Sequence, residues 1–209
     1  MAARGACLLV LLAFTICADA VSLSNVLSIE DQARLKQTLY NAMPFKDLET
    51  AGYAVFTLKL MKAEVPPTQD VCKFAKDNVD GSSVMSLFYA SAISKYLGNC
   101  KLPAIKGAEV TLSEAVKEGS EMTTLFYAVA AQNFLGLKVD TGEVLKAVRA
   151  AINSDEDSIL GAAYAMLTAT RLPKGTDVSF ITEMIEVIIF QFFNYNLPFM
   201  NLYLQTINV

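Results

Sequence analysis

The chain is predicted to be all-α, with about four stacked helix–turn–helix repeats of about 37 residues forming an α-solenoid or a segment of an α/α ring. Three observations carry this. Leu87-Phe88-Tyr89-Ala90 recurs letter for letter as Leu125-Phe126-Tyr127-Ala128, with weaker copies at Gly52-Tyr53-Ala54 and Ala163-Tyr164-Ala165. Tyr53, Tyr89, Tyr127 and Tyr164 therefore stand at near-constant spacing, as core residues at matching repeat positions or as the lining of a channel for lipid or peptide. Seven or eight residues after them come Leu60-Met61, Tyr96-Leu97, Phe134-Leu135 and Arg171-Leu172, each followed by a turn and a second, amphipathic segment. A hairpin of this kind cannot bury its apolar face alone, and stacked neighbours bury it.

Residues 1–20 read as a secretory signal: Arg4, an uncharged apolar run from Ala6 to Cys17, and the small-x-small site Ala18-Asp19-Ala20. The run is short for a bilayer span, which needs about 20 residues. An uncleaved anchor or a buried N-terminal helix are the other readings. With the signal removed, the mature chain begins near Val21, in the lumen of the endoplasmic reticulum or beyond.

Residues 21–46 hold one helix. Ser28 with Asp31 three places on resembles a capping box, and the helix runs to about Tyr40, burying Ile29, Leu35 and Leu39, until Pro44 ends it. Residues 47–190 form the repeat domain. Its first helix begins at Asp47 or Thr50 and carries Tyr53, Val55, Phe56, Leu58 and Leu60. Pro66-Pro67 breaks it, and Thr68 is expected to cap a helix burying Val71, Phe74, Ala75 and Val79. After the Asp80-Gly81 turn a helix opens at Ser82 or Ser83 and runs to Leu97, with Gly98 as its stop. Asn99 to Gly107 is a loop, and Ala108 to Lys117 a helix with Leu112, Ala115 and Val116 on one face. Between Glu121 and Lys138 there is no charge, which marks a helix packed on several sides. Asp140-Thr141-Gly142-Glu143 caps a helix that buries Val144, Leu145, Val148, Ala151 and Ile152 and turns Glu143, Lys146 and Arg149 to water. Residues 191–209 form an atypical uncharged tail.

Composition excludes several functions. The net charge is −4 with no basic run, so nucleic acid is not an expected partner. There is no histidine, so neither a Ser-His-Asp nor a Cys-His site can be built, and the commonest metal ligand is missing. No cofactor, metal site or catalytic residue is expected. Cys72 and Cys100 remain once the signal leaves, and in an oxidising compartment they are a natural disulfide pair; two separate buried thiols are the alternative. No Asn-x-Ser/Thr sequon occurs.

Ile29 to Phe45, Asp47-Leu48-Glu49 with Tyr53, Ala63-Glu64-Val65-Pro66, Ser86-Leu87-Phe88-Tyr89-Ala90 and Tyr127-Ala128-Val129-Ala130-Ala131 together resemble the start of the luminal domain of the ribophorin II family. The likeness covers about residues 28 to 187 and includes both cysteines. It implies a helical-repeat luminal domain in the oligosaccharyltransferase complex, a supporting role with the catalytic site on another polypeptide, and other subunits as partners, with translocon-associated nascent chains as further ones. Family members continue into more luminal domains and membrane-spanning helices. Here the likeness fades after Glu186, and Val187 to Val209 carry no charge, which reads as an alternative or truncated C-terminus.

Asp155-Glu156-Asp157 has the form of a D-x-D metal and sugar-nucleotide site, but Ser154 before it makes a helix start the better reading. A luminal α/α-ring enzyme such as a glycosidase would need two carboxylates roughly 5 to 10 Å apart in a cleft. Few acids flank the inner helices, which favours a scaffold over that enzyme; a secreted helical-repeat binding protein is the third possibility.

Overall fold

The computed structural model describes residues 27–65, 67–154 and 159–184. Residues 1–20, expected to be a signal, Asp155-Glu156-Asp157 and the tail from Val187 lie outside them. Every regular element among the described residues is helical: α1 (Ile29–Asn41), α2 (Leu48–Leu60), α3 (Thr68–Asn78), α4 (Val84–Leu97), α5 (Ala108–Glu114), α6 (Met122–Leu135), α7 (Thr141–Ser154) and α8 (Ile159–Ala169). Residues 179–184 are helical as well.

The helices form two layers. α2, α4, α6 and α8 stack side by side as an inner layer, each packing most extensively on the next. α3, α5 and α7 form the outer layer, each set against the two inner helices that flank it in sequence. Composition explains the division. α6 is surrounded by α4, α5, α7 and α8 and buries Met122, Leu125, Phe126, Ala128, Val129, Ala130, Ala131 and Gln132. Small residues at Ala128, Ala130 and Ala131 let neighbouring backbones approach, while full burial of a side chain such as Leu125 contributes about 1.5–3 kcal/mol. α7 is amphipathic instead: Val144, Ala147, Val148 and Ala151 face inward and Glu143, Lys146 and Arg149 face out. Leu145 and Ile152, expected inside, are only half-buried.

The ends of the helices follow local chemistry. Ser28 accepts the Asp31 amide at the start of α1, Asp47 accepts the Thr50 amide at α2, and Ser83 accepts the Ser86 amide at α4. Asp140 Oδ1 accepts the amides of Gly142 and Glu143 at α7. Gly98 and Gly136 end α4 and α6 at φ 75° and 70°, a region costly for side chains with a Cβ.

Three expectations change. α1 has no buried residue: Ile29 is 81 % exposed, and Leu35 and Leu39 are half-buried. Among the described residues this helix packs chiefly on α2, and its Tyr40 hydroxyl donates to the Glu64 carbonyl at 2.7 Å. Thr68 is the first residue of α3 rather than its cap; Pro67 holds the cap position, and there is no side-chain cap bond. α5 ends at Glu114, although Ala115 and Val116 are still buried beyond it.

Cys72 on α3 and Cys100 just after α4 are joined, with Cα atoms 5.5 Å and sulfurs 2.14 Å apart. The bond ties the outer helix of one hairpin to the exit of the next inner helix. The Ser94 hydroxyl donates to the Cys100 carbonyl and fixes that exit.

Candidate functional site

Tyr53, Tyr89, Tyr127 and Tyr164 lie on α2, α4, α6 and α8, each as the sixth residue of its helix. They form a ladder across the inner layer. Ring centroids are 5.4 Å apart for Tyr53 and Tyr89, 6.1 Å for Tyr89 and Tyr127, and 6.2 Å for Tyr127 and Tyr164, within the range where tilted aromatic pairs attract. The Tyr89 hydroxyl donates to Tyr53 at 2.9 Å and lies 3.4 Å from Glu49 Oε1.

The residue before each tyrosine meets the next tyrosine in the ladder. The Phe88 ring is 4.7 Å from Tyr127, and the Phe126 ring is 5.6 Å from Tyr164. The matching position on α2 is Gly52, where a Cβ would sit 2.7 Å from Cδ1 of Tyr89. Two helical turns below the tyrosines runs a second row, because residues seven apart share a face. Tyr96 contacts Phe134 at 5.9 Å and Phe56 at 5.0 Å. Arg171 takes the fourth place in this row, its guanidinium 5.3 Å from the centroid of Phe134.

Between the two rows is a cleft of about 270 Å³, lined by residues of all four inner helices and by Thr170 and Arg171. The tyrosines are part of the packing between the inner helices, and three of them also line this cleft. Tyr89 is buried and the others half-buried in the packing, while Tyr53, Tyr89 and Tyr127 present surface to the cleft.

Burial pushes all four phenols above their ordinary range, and in Tyr89 the bond to Tyr53 adds to the effect. They are neutral donors and acceptors, neither nucleophiles nor bases. No group of three or more Cys, Asp or Glu among the described residues is placed to hold a metal ion. Cys72 and Cys100 are spent in their mutual bond. The chemistry available is stacking, apolar contact, hydrogen bonding and one guanidinium.

The tyrosine spacing was legible in the sequence, but Phe56, Phe88 and Arg171 were not singled out as site residues. For Phe88 and Arg171 the signal was present, one position before Tyr89 and seven after Tyr164; Phe56, three after Tyr53, had no repeat signal, and its place in the cleft depends on which helix face the neighbouring helices leave open.

Fold and cleft define an all-α domain of stacked helical hairpins whose inner face carries a cleft lined by aromatic rings. The chain belongs to the ribophorin II family: the ribophorin II N-terminal domain matches residues 27–204. That match continues past Glu186, where the sequence reading had the likeness fade, so the uncharged residues up to 204 are within the family pattern. Resemblance by eye rested on charged and aromatic landmarks, and a stretch without charges offers few.

Proposed function

We propose that this chain is a non-catalytic luminal subunit, or a form of one, of the oligosaccharyltransferase complex, supporting N-linked glycosylation while the transfer itself occurs on another chain. Family membership over residues 27–204 is the observation that carries the reading. The character of the inner face supports it: stacked rings, neutral phenols and a single cation suit the holding of other chains rather than acid–base chemistry. Its partners are other subunits of the complex and nascent chains associated with the translocon, and its place is the luminal side of the endoplasmic reticulum.

No helix among the described residues is long and apolar enough to cross a membrane. We hold the tail from Val187 to be no anchor either. Asn194, Asn196 and Asn201 each cost free energy in hydrocarbon unless bonded, and Pro198 removes a backbone donor. Affinity purification of the tagged chain from detergent-solubilised microsomes tests the assignment. Recovery of the complex's other subunits agrees with it; a chain recovered alone, or one that hydrolyses or transfers glycan by itself, refutes it. Alkaline carbonate extraction tests the tail: release into the soluble fraction is expected, and retention in the pellet would make it an anchor.

A further inference from the structure

Arg171 stands out in the cleft. It is half-buried, stacked on Phe134, and makes no ion pair with any described carboxylate. Its Nε is buried and meets no acceptor. A buried donor without a partner carries a desolvation cost; Nε itself is closed to solvent, so an acceptor in the cleft meets Arg171 through the part of its side chain that lines it. The backbone carbonyl of Arg171 is already used, accepting from Asn133 Nδ2 at 2.7 Å, so the residue is pinned at its main chain with its guanidinium facing the aromatic row.

The rest of the lining is mostly aromatic rings, with Gly52, Ala92, Leu167 and Thr170 between them, contributed by the four inner helices and the turn after α8. Aromatic-lined grooves of this kind suit segments already extended in the polyproline II conformation, which lose little entropy on binding and leave their carbonyls free. At about 270 Å³ the cleft is at or below the small end of ligand cavities, the size of one or two side chains rather than of a long lipid chain.

We propose that the cleft binds an extended, proline-containing peptide segment that carries one acidic residue, with one proline against Phe88, Tyr127 and Phe134 and the carboxylate on Arg171. The unpaired guanidinium chooses the charge of the partner, and the ring rows choose its shape. A planar guanidinium bonds a carboxylate through two donors, which an ammonium cannot reproduce. The proposal goes beyond membership of a glycosylation complex, since a purified chain outside any complex would bind the peptide equally.

The test is fluorescence polarisation of the purified chain against a labelled peptide of about nine residues, with prolines three apart and one aspartate. The same peptide with asparagine in place of aspartate is the partner probe. The aspartate peptide is expected to bind about tenfold more tightly than the asparagine peptide. Arg171→Gln should abolish the preference for the aspartate peptide, and Arg171→Lys should restore only part of it. Far-UV circular dichroism of both variants confirms that they fold. Equal affinity of the unaltered chain for the two peptides, binding of neither, an aspartate preference that persists in Arg171→Gln, or preferential binding to phosphatidylcholine vesicles doped with an anionic phospholipid would each overturn the proposal.

Discussion

Gly52 is the position where a single methyl group should do the most damage for its size. In an ordinary helix interior, Gly→Ala stabilises by about 1 kcal/mol, because the unfolded chain loses freedom and the helix gains a better former. Here the added Cβ would stand 2.7 Å from Cδ1 of Tyr89 and 3.4 Å from its Cβ and Cγ. The obstacle is a rigid ring, not the tip of a flexible chain. Tyr89 is 3 % exposed, packed against Phe88 at 5.1 Å and Tyr53 at 5.4 Å, and tethered by its hydroxyl. Relief requires α2 and α4 to move apart, and overpacking of this kind costs about 1–3 kcal/mol or somewhat more. Set against the propensity gain, Gly52→Ala should destabilise by about 1–2 kcal/mol, a fall in Tm of about 2 to 8 °C for a domain of this size. Gly142→Ala is the control: this exposed helical glycine would place its Cβ 3.4 Å from Asp140 Oδ1, an ordinary contact, and should be neutral or mildly stabilising. Thermal and urea unfolding followed by far-UV circular dichroism measure both. A Gly52→Ala protein at least as stable as the parent would refute the close approach of α2 to the Tyr89 ring.

Three further outcomes are expected. Replacing Cys72 and Cys100 together by alanine releases a loop with a sequence separation of 28 and should lower stability by about 3–4 kcal/mol in the chain-entropy view, read by urea unfolding; the intact mass of the parent with and without reductant should differ by two hydrogen atoms, and free thiols in secreted protein would reject the bond. The four ladder tyrosines have phenols raised by burial, so the stability this gives is full below the unfolded value of about 10 and is lost as pH rises through the folded values; the tyrosinate absorbance of the ladder, read as the difference from a variant with Tyr53, Tyr89, Tyr127 and Tyr164 replaced by phenylalanine, should therefore appear together with loss of helical signal, and ionisation of the ladder in a fully helical protein would contradict its burial. Asp47→Ala removes the cap bond to the Thr50 amide and should cost about 1 kcal/mol, whereas Asp47→Ser should recover most of it; because that bond holds the Asp47 carboxyl below the usual range, its contribution is present above about pH 4 and fades as pH falls, which acid titration of the two proteins compares.

Much of the architecture was written in the sequence because local rules govern it. The uncharged stretch between Glu121 and Lys138 could only be a helix packed on several sides, and α6 is that helix. Ser28, Ser83 and Gly98 marked helix ends through chemistry that acts within three or four residues. The recurring tyrosines announced equivalent positions, since a repeat in sequence is a repeat in environment. What tertiary structure alone decided was which face each helix hides and how far. Ile29 has the periodicity of a core residue yet stands in water, at the start of a helix that, among the described residues, packs chiefly on α2. Gly52 looks like a weak copy of Phe88 and Phe126, and only the position of the Tyr89 ring explains its missing side chain. Arg171 occupies an aromatic place in the repeat, and its stacking on Phe134 with an unmet Nε exists only once α6 and α8 lie side by side. Sequence period fixes the direction of side chains around one helix axis; the distance between axes, and with it the cleft, comes from how unlike side chains fit across the layer.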